Sequence, residues 1–141
     1  MAKPLHLVKL CVGIESLEQY EAAAAARRAA DPDGRQFHVT RMVPKRAAEV
    51  VGNSLYWVIR GNIQCRQTIE AIEPFVDADG VRRCRLVLGE RIVPVEWKRK
   101  RAFQGWRYLK PEDAPEDLGE GFGDGELPPS LMKKLVELGA W

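Results

Sequence analysis

Little in this chain declares a reaction. Its three cysteines, Cys11, Cys65 and Cys84, are odd in number and none stands in a CxxC spacing. That excludes a disulfide framework and a zinc site as organising devices. The two histidines, His6 and His38, lie far apart in sequence. No Gly-rich phosphate loop, no GxSxG and no metal-ligand cluster occurs. No metal and no cofactor are therefore expected. Long apolar runs are also missing. The longest near the N-terminus, LHLVKLCVGI, spans ten residues and is interrupted by Lys9. It suits a buried strand better than a signal peptide or a membrane span. A single cytoplasmic domain with reduced thiols and no membrane contact is the expectation from these absences.

What the chain does have is segregated charge. The net charge is +2 over 141 residues. From Arg35 to Lys110, however, 16 Lys and Arg face 7 Asp and Glu, a local +9. From Pro111 to Trp141 there are 2 against 8, a local −6. A basic body attracts phosphate-rich partners through its long-range field, and an acidic tail on the same chain competes for that body.

The periodicities predict an α+β domain. Leu5–Val12 reads as a strand, and Ser16 as the N-cap of a helix over SLEQYEAAAAARRAA, whose acids precede its bases as the helix dipole favours. DPDG ends it. FHVTRMV is a second strand, and Pro44 starts a short second helix, KRAAEVV. The β-rich run SLYWVIRGNIQCRQTIEAIEPF, residues 54–75, holds a turn or bulge at Gly61-Asn62. Asp77–Gly80 connects it to VRRCRLVLG. RIVPVEW is demoted to an edge strand by Pro94, and FQGWRYL is the last strand. The order predicts a small, mostly antiparallel β-barrel or strongly curved sheet, with two N-terminal helices and a short C-terminal one. Residues 1–110 form the domain, 111–129 an acidic Gly/Pro-rich linker, and 130–141 a helix with Leu131, Leu135 and Leu138 on one face, a candidate surface for a protein partner.

The stretch WKRKRAFQGWRYL carries the densest signal. Lys98, Arg99, Lys100 and Arg101 run consecutively between Trp97 and Phe103, and Trp106 and Arg107 follow. Cations beside aromatic rings are what a single-stranded nucleic acid needs, charge for its phosphates and rings for its bases. Trp106 and Tyr108 share a strand face, a spacing also usual in a core. Strand alternation places Arg60, Arg66, Arg83 and Arg85 on one side of a sheet. Arg41, Lys45 and Arg46 surround Pro44, where a helix N-terminus would add backbone N–H groups for an anion. The candidate nucleic-acid residues are thus Arg41, Lys45, Arg46, Arg60, Arg66, Lys98, Arg99, Lys100, Arg101, Trp106 and Arg107. A hydrolytic alternative would need Lys45, Thr40 and a carboxylate such as Glu49 in one pocket, or a cysteine of the Cys65, Cys84 pair meeting His6 or His38. Both cysteines alternate with apolar residues, which favours buried inert thiols.

The strings TRMVPKR, SLYWVI and FQGWRYLKPEDAP, within a match running from about Leu5 to Leu118, resemble an alphaproteobacterial family described as domain of unknown function 1489. The resemblance implies a bacterial cytoplasmic protein and brings no catalytic residue. The element order is also similar to that of the PUA-like superfamily of small β-barrels, with its ASCH and EVE branches. That likeness implies RNA or modified bases as ligands, with RNA favoured over DNA, and amidase or nuclease activity in a few members.

Overall fold

In the computed structural model residues 5–118 are described, and all structural statements concern them. The first strand, β1 (His6–Leu10), is followed by helix α1 (Leu17–Ala30). Ser16 caps α1 as its sequence predicts: the hydroxyl accepts from the Gln19 N–H at 3.1 Å, which satisfies one of the donors a helix start leaves free. Strand β2 (Gln36–Thr40) comes next, then a single turn of helix, α2 (Ala47–Val50). The second helix therefore starts three residues after Pro44 rather than at it. Five strands complete the order: β3 (Ser54–Ile59), β4 (Asn62–Val76), β5 (Arg82–Leu88), β6 (Val93–Arg99) and β7 (Trp106–Leu109). A 3₁₀ turn at Pro111–Asp113 follows.

The strands form one sheet in the order β2-β5-β4-β3-β1-β7, with β6 paired to the first half of β4. Only β1 and β3 run parallel; all other ladders are antiparallel. No ladder among the described residues closes the sheet, so the hydrogen-bonding pattern is that of an open sheet and not of a barrel. The sheet is nevertheless strongly bent. Three inter-strand steps separate β2 from β3, about 14 Å in a flat sheet, yet the His38 ring on β2 meets the Trp57 ring on β3 edge-on at 5.4 Å. The bend is built into β4, which is shared among three ladders and shifts register twice, near Gln64 and near Glu70. Extra residues of this kind raise local twist.

The hairpin from β3 to β4 turns through Arg60 and Gly61, both at positive φ (50° and 80°). That is the backbone of a tight two-residue turn whose twist matches the strands it joins. Arg60 therefore sits in a turn and not on a strand, a correction to the expected alternation.

Side chains of β1, β3, β4 and β5 fill the concave side under α1, with Leu7, Leu55, Trp57, Ile69 and Leu86 at its centre. A smaller cluster on the opposite face joins Val8, Tyr56, Val58, Ile63, Val95 and Leu109. β3 is buried along its whole length because both faces are covered. Within the larger core lies a closed polar network. Gln67, with no exposed surface, accepts from the Trp57 indole N–H (3.0 Å) and the Tyr20 hydroxyl, and donates to Gln36 (2.9 Å) and to the Gly89 carbonyl (3.0 Å). Arg28 of α1 reaches the Gly89 carbonyl and Gln36 from outside, at 2.8 and 3.1 Å. These bonds fasten α1 to the sheet by direction as well as by apolar contact.

The expected linker begins at residue 111, and its first residues pack on the sheet. The Glu96 N–H donates to the Glu116 carbonyl (2.8 Å), the Leu118 N–H donates to the Pro94 carbonyl (3.0 Å), and Asp117 forms a bridge with Val95. The expected C-terminal helix with Leu131, Leu135 and Leu138 lies outside the described residues.

Candidate nucleic-acid interface

One end of the sheet gathers cations. β1 and β3 finish there, β4 begins, β6 finishes and β7 begins, as their registers require. Arg60 sits in the hairpin turn, Arg99 lies opposite Asn62, and the Lys100 N–H donates to the Gly61 carbonyl at 2.9 Å. Arg101 follows. Phe103, half-buried against the smaller core cluster, lies between two of these charges: Lys100 Nζ is 5.9 Å from its ring centre and the Arg107 guanidinium 5.3 Å. Arg60, Arg99 and Arg101 are exposed. Among the described residues, no carboxylate pairs with Arg60, Arg99, Lys100, Arg101 or Arg107. Lys98 is anchored differently, its ammonium donating to the Asp113 carbonyl at 2.6 Å.

The other candidates are placed elsewhere or are occupied. Trp106 is buried, and its indole N–H donates to the Met42 carbonyl at 2.7 Å. It is a core residue that holds the loop after β2, so no face of it is free for a base. Arg41 and Lys45 are exposed on that same loop. The Arg46 N–H donates to the Tyr108 hydroxyl (3.0 Å), and its guanidinium forks onto Glu49 with two contacts of 2.6 Å. That pairing holds the Glu49 carboxyl below its ordinary range. With its backbone donor engaged and its side chain paired, Arg46 does not form the expected anion cradle.

Arg66, Arg83 and Arg85 do share the side of the sheet facing away from the Cys65–Cys84–Leu86 core, as the alternation implies. Each already has a companion in the chain. Arg83 binds Asp77 at 2.5 Å, Arg85 stacks 4.2 Å over Phe75, and Arg66 binds Asp117 through two bonds of 2.7 Å.

Arg66 also borders an open cleft of about 410 Å³ between the sheet and residues 111–117. Its walls include His6, Ser54, Tyr56 and Asp117. His6 Nδ1 accepts the Ser54 N–H at 3.1 Å, so the ring's proton sits on Nε2. Burial, then the Arg66 charge, holds the imidazole below its usual value. The basic nitrogen of His6 is thus already engaged, and His6 presents an N–H donor to the cleft rather than a general base.

The residues of the hydrolytic alternative do not converge on a cleft. Thr40 is buried at the end of β2, Lys45 is exposed, Glu49 is held by Arg46, and none of the three lines the cleft around His6 or the smaller cavity between β1, β2 and α1. Cys65 and Cys84 are buried, and burial raises both thiols, which makes them poor nucleophiles. The cations beside Phe103 lie within the one stretch that the sequence singles out, whereas sequence patterns missed the cleft around His6, which is assembled from distant segments.

Two comparisons find no counterpart: neither a curated protein nor a solved structure matches the chain. A family model described as "Protein of unknown function (DUF1489)" matches residues 7–141.

Proposed function

Because the chain belongs to the DUF1489 family, whose description assigns no activity, we propose from its surface chemistry that it is a cytoplasmic binding module for RNA or another single-stranded nucleic acid. The observation that carries this reading is the cation cluster around Phe103, formed by Arg60, Lys98–Arg101 and Arg107 at one end of the sheet. Proteins neutralise buried or structural cations with their own carboxylates; a group left without them suits an external polyanion. Guanidinium groups give two-point contacts to phosphate, and the half-buried Phe103 ring beside two of the cations adds aromatic surface at the same place. The element order read from the sequence, similar to that of PUA-like RNA-binding domains, supports this reading as a fold-level analogy.

The test is a titration of the nucleic-acid-free protein with labelled single-stranded RNA, single-stranded DNA and duplex DNA at two salt concentrations. Binding to the single strands that weakens steeply with salt is expected. Replacing Lys98–Arg101 with Ser should lower affinity by about tenfold or more, since several phosphate contacts go at once. Unaltered affinity in that variant would remove the cluster from the interface.

A further inference from the structure

We propose that the small cavity between the end of β1, β2 and helix α1 is a phosphate-binding pocket, with Lys9 and Arg27 as its cations. Lys9 stands opposite Trp57 and Trp106 in the strand registers, so it projects from the face that carries the main core. Lys9 is half-buried there, and an ammonium on the covered face of an interior strand normally meets a carboxylate, because an unpaired charge loses part of its hydration without compensation. Among the described residues Lys9 has no carboxylate partner, and no Asp or Glu lines the cavity. Burial lowers the Lys9 pKa, the sign of a charge short of solvation.

The remaining walls suit the same ligand. Arg27, in the last turn of α1, contributes a second cation at the lip. His38 contributes an imidazole that burial, Lys9 and Arg27 hold neutral down to about pH 4, so it retains one N–H to donate. Tyr20 and Trp57 close the floor, their polar atoms already committed to Gln67. The free volume is about 120 Å³, the space of roughly four waters. That admits a phosphate group and excludes a base with its sugar. Two cations balance a phosphate dianion, and its tetrahedral oxygens can serve Lys9, Arg27 and His38 together, which a flat carboxylate with two oxygens does less completely.

The pocket lies at the same end of the sheet as the cation cluster, on the α1 face where Phe103 packs on the other: Cys11 donates its N–H to the Val58 carbonyl at 2.9 Å, two residues before Arg60. The phosphomonoester could thus be the 5′ end of a strand or a free small molecule. The chemistry recognised is the same.

The full chain is titrated with inorganic phosphate, followed by calorimetry and by the His38 imidazole resonances. Saturable binding at one site that moves those resonances is expected, weakened about tenfold or more by Lys9→Met and by Arg27→Gln and retained in Lys9→Arg. Arg27 is exposed, so Arg27→Gln keeps the fold and decides the matter should Lys9→Met fail to fold. No saturable phosphate binding, or equal binding by wild type and Arg27→Gln, would overturn the pocket. Inorganic phosphate reads this site whether or not the cation cluster binds nucleic acid, so the two proposals fail separately. Comparing 5′-phosphorylated with 5′-hydroxyl RNA then identifies the source. A preference that phosphate competes away assigns strand ends, and equal binding assigns a free phosphomonoester.

Discussion

Arg66 and Asp117 stand 51 residues apart in the chain and meet through two parallel hydrogen bonds of 2.7 Å, guanidinium to carboxylate. Arg66 also donates to the Ser54 hydroxyl at 3.1 Å, so its fork is fixed on three sides. The acidic stretch after β7 therefore occupies one of the arginines that the sequence offers to a polyanion.

Asp117→Asn keeps the shape of this contact and removes its charge. We expect the stability loss to be about 1 kcal/mol, since the pair is partly exposed and screened, with a severalfold gain in RNA affinity at low salt. Urea unfolding and fluorescence anisotropy read the two effects. Unchanged affinity would place Arg66 outside the binding surface. The hydrogen bonds from Arg66 hold the Asp117 carboxyl below its ordinary 3.8. The pair's stabilisation is thus complete above that value and is lost as pH falls through the lower folded one.

Gln67→Leu tests the buried network. The substitution preserves volume approximately but leaves the Trp57 indole N–H and the Tyr20 hydroxyl proton without their acceptor in a dry core, while Gln36 keeps Tyr20 and Arg28. A loss of about 3 kcal/mol is expected from buried groups left without partners, seen as a lower urea midpoint. A loss under about 0.5 kcal/mol, the range of an ordinary surface substitution, would show that these groups find water instead.

His38 should make stability depend on pH. Its folded pKa is pushed down from 6.5 to about 4, first by burial and then by Lys9 and Arg27. The unfolded chain therefore binds a proton in the window where the folded one does not. Stability is full above pH 6.5 and declines as pH falls from 6.5 to about 4, by up to about 3 kcal/mol. His38→Phe should flatten that slope. An imidazole titrating near 6.5 in the folded protein, read by NMR, would contradict the burial.

Ending the chain after Leu118 removes four carboxylates and two lysines while keeping Asp117 in place. If the acidic tail competes for the basic body, RNA binding tightens at low salt and the difference fades at high salt. Weaker or unaltered binding would mean that the tail does not shield the body.

Much of the fold was legible because local chemistry specifies it. Ser16 with its acidic first turn, the Gly61 turn and the Asp77–Gly80 connection each satisfy a local backbone requirement that residue type reveals. The edge position of Pro94 was equally readable. The start of α2 was not, because the Tyr108 hydroxyl, 62 residues away, takes the Arg46 N–H and sets where the helix begins. Alternation placed Arg66, Arg83 and Arg85 on one side correctly, but carried no sign that Asp117, Asp77 and Phe75 would occupy them. It also assigned Arg60 to a strand, where two positive φ angles make a turn. Composition marked residue 111 onward as linker. The pairing of 116–118 with β6 runs through backbone groups, to which composition is blind. Gln67 and Gln36 looked like ordinary polar positions in strands, and only the bend of the sheet turns them toward each other.

The pairing of residues 116–118 with β6 also covers an edge that a second copy of the chain could otherwise extend. The outer rail of β6 would present a free Glu96 N–H and Pro94 carbonyl, flanked by Val93 and Val95, and such a rail invites a strand from a neighbouring molecule. Glu116 and Leu118 fill those two positions first. Pro94, which has no N–H to offer, and the charges at Lys98 and Arg99 discourage pairing along the rest. The short acidic stretch is thus insulation against polymerisation as well as a counter-charge. A lesion that peels it away would expose a growing edge before it unfolded the core.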